Sequence, residues 1–269
     1  MSAHYLALSG GVGGAKLALG LSKICVPEDL SIITNTCDDF THLGLHISPD
    51  LDTVMYTLAG VSNTQTGWGR AGETWNFISV MKEIGGESWF QLGDKDMAVH
   101  IERTNRLKKG ESLSTVTLAL SKSLGIEHAI IPMSDDQIQT MVTTEQGELA
   151  FQHYFVRERC EPKISGIRFD GIEEAQPSPA FVTALSNPNL AGVILCPSNP
   201  FVSIDPILNI PGVREMLDKL TVPIVAISPI VKGLAIKGPA GKMLQELGKQ
   251  VSVLSIAEHY EGLVDGLII

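Results

Sequence analysis

The sequence predicts an α/β protein with a Rossmann-like, mostly parallel sheet that carries helices on both of its faces. Two observations predict this fold. Apolar runs of strand length alternate with helical patterns at both ends of the chain, and polar residues follow several of these runs. The runs are Tyr5–Leu8, Leu30–Thr34, Ala129–Pro132, Gly192–Cys196, Val222–Ile227, Val251–Leu254 and Leu263–Ile269. Ligands bind at the carboxyl ends of the strands in such sheets, so we expect the functional site at that edge.

The composition excludes several classes of protein. The chain has 269 residues, 44% of them hydrophobic, and can bury a large core. Its formal net charge of −10 argues against a nucleic-acid partner bound by a general basic surface. The four cysteines form no C-x-x-C pair, so neither a zinc site nor a disulfide framework is predicted. No apolar run approaches about 18 residues and no signal-peptide pattern opens the chain, so we expect a cytoplasmic protein without a membrane partner.

A helical insertion is predicted in the middle of the chain. Four helical patterns and no strand occur there: Asp50–Ala59, Glu73–Ile84, Asp94–Leu107 and Ser112–Leu124. We therefore predict a Rossmann-like nucleotide-binding domain formed by residues 1–48 and 126–269, with an insertion formed by residues 49–125. Alternating polar and apolar residues in Thr140–Thr144 and Glu148–Arg157 predict a β-hairpin excursion from the domain.

The stretch SGGVGGAKLALGL follows the first apolar run and leads into a helix predicted near Ala15–Ile24. Its closely spaced glycines are Gly10, Gly11, Gly13 and Gly14. Glycines let backbone N–H groups come close to a phosphate at the start of a helix. The stretch is not a P-loop, because Ala15 and Leu17 flank Lys16, and Lys16 also stands where the dinucleotide fingerprint needs a third glycine. We expect a phosphate site of another kind, in which a side chain at Gly13 would crowd the ligand. The alternative is a turn that is rich in glycine for steric reasons alone.

Hydroxyl, amide and carboxylate groups follow the other apolar runs. These groups belong to Asn35, Asp38 and Asp39 in NTCDDF, to Ser134, Asp135 and Asp136 in MSDD, to Ser198 and Asn199 in PSNP, and to Ser228. Each of them alone is explained by a turn or a helix cap. Together they predict a polar rim around the glycine loop. Carboxylates beside a phosphate indicate a divalent cation, and Mg²⁺ suits oxygen ligands of this kind.

The motif SPDLDTVMYTLAG predicts the start of a helix. Ser48 is expected as its N-cap, with Pro49 at the first helical position and Asp50 favoured by the helix dipole. Asp52 is not needed for capping, so it is the better functional candidate. Loss of its carboxylate is expected to cost little stability, within about 0.5 kcal/mol.

A second helical pattern places Asp96, His100 and Arg103 on one face. They are expected to form either a solvated charged ladder or a cationic wall for an anionic substrate. His42 and His46 lie in a segment predicted to be a loop, and we do not expect them to bind metal. From these residues alone, two functions remain open: an α/β enzyme that acts on a phosphorylated nucleotide with Mg²⁺, and a non-catalytic nucleotide sensor.

Several motifs together resemble those of a known family. The motifs are SGGVGGAKLALGL, NTCDDF, PDLDTVMYTLAG, GWGRAGETW, WFQLGDKD, PMSDD, PSNPFVSIDPIL and SPIVKGLAIKGPAGK. In this order they resemble the 2-phospho-L-lactate transferase family, which makes the deazaflavin coenzyme F-420. The resemblance runs from about Ala7 to the last residue. The glycine loop alone is shared with a wider group of proteins, so a guanine-nucleotide-binding regulatory protein without catalytic activity is the alternative.

The resemblance implies a Rossmann-like fold and a Mg²⁺-dependent transfer. A phospholactyl-type group would move from a guanosine diphosphate-activated donor to the ribityl 5′-hydroxyl of 7,8-didemethyl-8-hydroxy-5-deazariboflavin, called Fo, and GMP would leave. The acyl part of the donor (phospholactate, phosphoenolpyruvate or phosphoglycerate) stays open, because no motif reports it. A homodimer is expected as well.

The resemblance also implies roles for particular residues. Donor binding is assigned to Gly10, Gly11, Gly13, Gly14, Lys16, Ser198 and Asn199. Asp52, Gln91 and Asp94 are expected to bind Fo, so the insertion would contribute to the deazaflavin site. Asp52 and Asp39 are expected to be catalytic, and Asp38, Asp39 and Asp52 to hold the metal. Gln91 departs from the Lys or Arg usual in the family, because it can donate a hydrogen bond but carries no charge.

Overall fold

The protein, described here as a computed structural model, is organised around a parallel β-sheet. The structure describes residues 3–235 and 238–269; Met1, Ser2 and residues 236–237, which belong to the motif SPIVKGLAIKGPAGK, lie outside the described residues. The strands are β1 His4–Ser9, β2 Leu30–Thr34, β3 Phe40–His42, β4 Leu45–Ile47, β5 Ala129–Pro132, β6 Gln139–Thr144, β7 Gly147–Ala150, β8 Ile164–Asp170, β9 Leu190–Leu195, β10 Ile224–Ile227, β11 Ile230–Val231, β12 Leu234–Ala235 and β13 Gly266–Ile268.

Helices connect these strands and cover the sheet. They are α1 Gly11–Ser22, α2 Pro49–Leu58, α3 Asn76–Glu83, α4 Asp94–Lys108, α5 Leu113–Ser123, α6 Pro179–Leu185, α7 Asp205–Asn209, α8 Val213–Asp218, α9 Ala240–Glu246 and α10 Val253–His259. No helix among the described residues has both the length and the apolar character that a membrane crossing requires.

The central sheet has six parallel strands in the order β13-β10-β9-β1-β2-β5. The strand order reverses between β1 and β9, because the chain passes from β1 to β2 and β5 on one side and from β9 to β10 and β13 on the other. This reversal is a topological switch point, where a crevice opens at the carboxyl ends of the two neighbouring strands.

Apolar residues fill both faces of the sheet. Leu6 and Leu8 of β1 point into one core with Phe181 of α6 and Met243 of α9. Ala7, which lies between them in the strand, belongs to the opposite core with residues of α1, α2 and α5. This alternation is the period of a strand buried on both sides. The predicted α/β fold with helices on both faces is therefore confirmed.

The predicted insertion contains four helices, α2 to α5, but it does not form a separate body. Leu51 and Val54 of α2 and Val116 of α5 are buried in the same core as Ile32 of β2. Helices α2 and α5 thus cover one face of the sheet, and α4 adds Val99 to the same core. They bring the residues on α2 directly against the strand ends.

Two strand predictions are wrong in part. Val251–Leu254 is not a strand, because the Ser252 hydroxyl accepts a hydrogen bond from the N–H of Ser255 and starts α10 there. The second hairpin strand ends at Ala150 and gives way to a π-helical turn at His153–Arg157, in which Tyr154 is buried. Strand β8 was not predicted from the sequence; it pairs with β6 to make a three-stranded sheet.

The segment that carries His42 and His46 is a β-hairpin rather than a loop. Strands β3 and β4 pair antiparallel through a two-residue turn formed by Leu43 and Gly44, which both have positive φ angles, of 51° and 73°. Both positive angles are typical of the tight turns that join paired strands. The hairpin places His46 next to the strand-end residue Asp39.

Candidate active site

The glycine loop lies at the switch point and is fixed there by the loop that follows β9. The hydroxyl of Ser198 accepts a hydrogen bond from the N–H of Gly10 at 3.0 Å and donates one to the carbonyl of Gly10 at 2.7 Å. Asn199 accepts a bond from the N–H of Phe201 at 3.0 Å and so caps the following turn. The structure thus gives Ser198 and Asn199 roles within the protein, whereas both were expected to bind the donor.

Three of the four glycines are required by packing. A β carbon at Gly10 would lie 2.6 Å from Oδ2 of Asp50 and 2.6 Å from Cβ of Ser203, and one at Gly14 would lie 2.6 Å from Oγ of Ser198. A β carbon at Gly13 would collide with the backbone carbonyl of Pro197. A side chain at Gly13, which was expected to crowd the ligand, would therefore first strike the protein itself.

The remaining residues of the loop leave room for a ligand. Gly11, the first residue of α1, has a φ angle of +59°, and a β carbon there would have only Asp50 nearby, at 3.9 Å. Lys16 is exposed and forms no ion pair with any described residue. The N-terminus of α1 has no acidic residue in its own first turn, so its dipole suits an anion, although the Asp50 carboxylate already accepts from the N–H of Gly11.

Asp50 and Asp38 form a buried pair of carboxylates beneath this loop. The side-chain amide of Asn35 donates to Oδ2 of Asp50 at 3.0 Å, and the N–H of Gly11 also stabilises the charged form of Asp50. Burial nevertheless raises the pKa of Asp50 to about 6. Burial and the neighbouring charge of Asp50 raise the pKa of Asp38 well above its ordinary value. Oδ1 of Asp38 is buried and has no hydrogen-bond partner among the described residues.

Asp39 has one carboxylate oxygen fixed and one free. Nε2 of His46 lies 3.0 Å from Oδ2 of Asp39, and the hydroxyl of Ser48 donates to the same oxygen at 2.7 Å. Ser48 precedes α2 as expected, but its hydroxyl binds Asp39 and does not cap the helix. Oδ1 of Asp39 is buried and finds no partner in the described part of the chain. Burial raises the pKa of Asp39, and His46 opposes this shift.

Asp52 is held by Arg103. Nη1 of Arg103 donates to Oδ2 of Asp52 at 3.0 Å, Nη2 donates to Oδ1, and the Arg103 side chain is fully buried. Arg103 is therefore neither part of a solvated ladder nor a free cation for a substrate, and both expectations for this helix face are wrong. Asp52 has no carboxylate oxygen left unpaired, so the structure favours a role in holding Arg103 over the expected roles as base, metal ligand or Fo ligand.

The network continues from Arg103 to Tyr56. Nη1 of Arg103 lies 3.2 Å from Nδ1 of His100, whose Nε2 lies 3.3 Å from Oδ1 of Asp96. The hydroxyl of Tyr56 donates to the same oxygen of Asp96 at 2.5 Å. Burial raises the pKa of Asp96, but the nearby imidazole of His100 and the hydrogen bond from Tyr56 outweigh it and hold this pKa below its ordinary value.

This network also contains a set of possible metal ligands. Ligand atoms of Asp52, Asp96 and His100 all lie within 4.8 Å of one another. Arg103 occupies both oxygens of Asp52, however, and its positive charge would repel a cation. No comparable group joins Asp38 and Asp39 to Asp52 within residues 3–235 and 238–269.

Two cavities meet at Trp75, whose side chain is exposed. The smaller, of about 20 Å³, is lined by Asn63, Thr66, Trp68, Gly69, Arg70, Glu73, Trp75, Gly93 and Asp96. The larger, of about 240 Å³, is lined by Trp75, Ile78, Ser79, Lys82, Ser88 and Gln91. Asp96 is thus shared by the smaller cavity and the Arg103 network. Gln91 lines the larger cavity, and its amide nitrogen donates to the carbonyl of Ser88 at 2.9 Å.

Asp94 caps the start of α3. Its Oδ2 accepts a hydrogen bond from the hydroxyl of Thr74 at 2.6 Å and one from the N–H of Asn76 at 3.2 Å, and its Oδ1 accepts from the N–H of Phe77 at 3.1 Å. These bonds, the one from Thr74 first, lower its pKa to about 2. Both carboxylate oxygens of Asp94 already accept hydrogen bonds within the protein, so neither is free to bind Fo as expected.

Two acids of the predicted rim are also structural. Oδ1 of Asp135 accepts from the N–H of Ser114 at 2.6 Å, and Oδ2 of Asp136 accepts from the N–H of Gln176 at 2.8 Å. Asp50 lies directly against the glycine loop, and Asp38 of the predicted rim lies beside Asp50.

Several residues of the site were missed from the sequence. Asp50 was assigned to the helix dipole, and Tyr56, Arg70, Trp75 and Lys82 were not considered. The guanidinium of Arg70 lies 5.5 Å from the centre of the Tyr56 ring. The motif GWGRAGETW, which contains two tryptophans and an arginine, was the available signal for Arg70 and Trp75.

Comparison with known proteins identifies the family of the chain. The family model described as "2-phospho-L-lactate transferase CofD" matches residues 6–269. The chain is 40% identical to the 2-phospho-L-lactate transferase of Methanosarcina mazei, with 96% of this chain and 84% of that protein covered. It is 41% identical to the phosphoenolpyruvate transferase of Streptomyces coelicolor, with 99% and 85% covered.

The fold agrees with a solved structure as well. A Bacillus halodurans protein of the UPF0052 family superimposes with a TM-score of 0.63 at 16% identity, with 99% of this chain and 80% of that chain covered. The chain therefore belongs to the 2-phospho-L-lactate transferase CofD family, which confirms the prediction from its motifs of an enzyme that transfers a phospholactyl-type group in coenzyme F-420 biosynthesis.

Proposed function

We propose that the protein transfers a phospholactyl-type group from a guanosine diphosphate-activated donor to the 5′-hydroxyl of Fo and releases GMP. One observation carries this proposal. The first turn of α2 places Asp50 against the glycine loop and Asp52 in the network that ends at Asp96, which lines the cavity beside Trp75. A single helical turn thus connects a site for the diphosphate with a site for the acceptor.

The donor is proposed to bind in the crevice between β1 and β9. Its diphosphate would lie against the N-terminus of α1, where Gly11 leaves the backbone open and Lys16 is an exposed positive charge. Gly10, Gly13 and Gly14 support this binding indirectly, because they let the loop pack against Asp50, Pro197 and Ser198.

Mg²⁺ is proposed to be held by Asp38 and Asp50. The donor set fits a divalent cation: two buried carboxylates lie together, burial raises the pKa of both, and Oδ1 of Asp38 has no partner among the described residues. Asp50, and not Asp52, is assigned as the second ligand because Arg103 occupies the oxygens of Asp52. When bound, the ion would neutralise charge on the diphosphate.

Asp39 is proposed as the general base. Its Oδ2 is held by His46 and Ser48, which leaves Oδ1 free to accept the proton of the acceptor hydroxyl. The hydroxyl oxygen then forms a bond to the phosphorus that carries the acyl group. The bond between this phosphorus and the bridging oxygen of the diphosphate breaks, and GMP takes the electron pair. The product is a phosphodiester.

The small-molecule partners are thus Fo and the guanosine donor. We further propose a cytoplasmic homodimer, which the family resemblance supports. Sedimentation at several protein concentrations would give the mass of a dimer; the mass of a monomer at every concentration would contradict it.

The proposal is tested by incubating the purified protein with Fo, Mg²⁺ and each of the three guanosine-activated donors in turn. We expect one donor to give a deazaflavin whose mass increases by the transferred phospholactyl-type group, together with GMP. The alternative, a regulatory protein, would bind the guanine nucleotide and give no new deazaflavin with any donor.

A further inference from the structure

The larger cavity beside Trp75 has the composition of a site for a flat, anionic ring. Its lining offers the indole of Trp75, the ammonium group of Lys82, the amide of Gln91 and the hydroxyls of Ser79 and Ser88. An aromatic face with a few polar groups around it is typical of small-molecule sites. The cavity measures about 240 Å³, which is less than the roughly 300–1,000 Å³ of sites that enclose a whole drug-sized ligand. It therefore suits part of a ligand, such as one ring system.

Lys82 gives this cavity its charge. It is the one charged residue among those that line the cavity, and it forms no ion pair with any residue that the structure describes. The chain as a whole carries a formal charge of −10, so Lys82 gives this cavity a local positive charge in an acidic protein. Its position in the last turn of α3 also favours a positive charge through the helix dipole, which is the alternative explanation for a lysine here.

We propose that Lys82 recognises the ionised ring of the acceptor and that Trp75 stacks on that ring. This inference rests on the proposed function, in which the acceptor is Fo. The 8-hydroxyl of Fo is conjugated with the carbonyl groups of the ring system, so it is acidic and its anion is delocalised over ring oxygens. An ammonium group at the rim of the cavity binds and stabilises that anion.

The position of Trp75 sets the direction of the rest of the ligand. Trp75 lines both cavities, and the smaller one contains Asp96. With the ring in the larger cavity, the proposal places the hydroxylated chain on the Trp75 side, toward the smaller cavity that Asp96 lines. Gln91 contributes hydrogen bonding at the ring, and Lys82 supplies the charge that Gln91 lacks.

The test measures Fo binding by fluorescence titration and records the absorption spectrum of bound Fo across pH. The variants are Lys82→Met, which keeps the apolar stem, and Lys82→Arg, which keeps the charge. Lys108→Met is the matched control, because Lys108 is also an exposed lysine in the last turn of a helix but lies outside this cavity. GDP binding and the melting temperature of each variant report whether the rest of the protein is intact.

We expect Lys82→Met to weaken Fo binding about tenfold, as the loss of a charge-assisted hydrogen bond does. It should also move the ionisation of bound Fo to higher pH, while GDP binding stays unchanged. Lys82→Arg and Lys108→Met should resemble the wild type. If Lys82→Met binds Fo with the wild-type affinity and spectrum, the inference is wrong, and the interaction of Lys82 with the dipole of α3 is sufficient to explain its position. If the wild type itself binds no Fo, the proposed function fails, and this inference fails with it.

Discussion

Arg103 donates both of its terminal nitrogens to the two carboxylate oxygens of Asp52, in a position where the arginine has no contact with solvent. Asp52 lies on the first turn of α2 and Arg103 lies in α4, so this ion pair joins the helix beside the glycine loop to the helix beside the Trp75 cavities. The two carboxylates of one helical turn therefore have different roles: Asp50 faces the glycine loop and Asp52 holds Arg103.

Asp52→Asn is expected to destabilise the protein by about 3–5 kcal/mol, because it leaves the charge of Arg103 buried without a partner. Urea unfolding followed by circular dichroism measures the change. The double variant Asp52→Asn with Arg103→Met is the matched control, and it should be more stable than Asp52→Asn alone. A single variant within about 0.5 kcal/mol of the wild type would show that Arg103 does not depend on Asp52.

The sequence predicted the shared helix face of Asp96, His100 and Arg103, but it did not predict what that face meets. Spacing along a helix follows from its period, whereas the partner of Arg103 lies 51 residues earlier in the chain. Asp52 could be identified as unusual because capping did not explain it. Its burial depends on α4 packing over it, which no local pattern reports.

The strand ends were predicted from the sequence because buried parallel strands are short apolar runs. The role of Ser198 could not be predicted in this way, because the sequence does not distinguish a hydroxyl that binds a ligand from one that hydrogen-bonds the backbone of Gly10. The error at Val251–Leu254 arises because a short apolar run is compatible with either a strand or a helix. In the structure, Ser252 caps a helix that begins at Val253.

Asp39→Asn is expected to reduce kcat by about a hundredfold or more and to leave the KM for the donor nearly unchanged, because a positioned general base contributes about 10²–10⁴-fold. Steady-state kinetics with Fo and the active donor measure this. Asp135→Asn is the control, since Asp135 follows another strand and its carboxylate accepts a hydrogen bond from the N–H of Ser114 in α5. Wild-type turnover in Asp39→Asn would remove Asp39 from the mechanism.

Asp50→Asn is expected to raise the Mg²⁺ concentration needed for half-maximal activity by about tenfold or more, because one of two proposed carboxylate ligands loses its charge. Activity is measured over a Mg²⁺ titration for the wild type, Asp50→Asn and the Asp135→Asn control. EDTA should abolish activity in all three. The assignment fails if Asp50→Asn and the wild type show the same Mg²⁺ dependence.

Asp94→Asn is expected to change the pH dependence of stability. The folded pKa of Asp94 is about 2, below the value of about 3.9 for an unperturbed aspartate. Its ionised form therefore stabilises the fold above about pH 4, and this contribution disappears as the pH falls through about 2. The difference between the urea midpoints of the wild type and Asp94→Asn should be largest near pH 6 and become smaller as the pH is lowered to 2. A difference that does not change with pH would show that Asp94 does not cap α3 as a carboxylate.

The origin of the oxygen atoms in the products tests the proposed transfer most directly. The reaction is run with Fo, the active donor and Mg²⁺ in water enriched in ¹⁸O, and GMP and the deazaflavin product are analysed by mass spectrometry. We predict equal amounts of GMP and phosphodiester, neither containing ¹⁸O, because the 5′-hydroxyl of Fo attacks the phosphorus. Release of GDP, or ¹⁸O in free phospholactate, phosphoenolpyruvate or phosphoglycerate formed without a deazaflavin product, would contradict transfer to Fo.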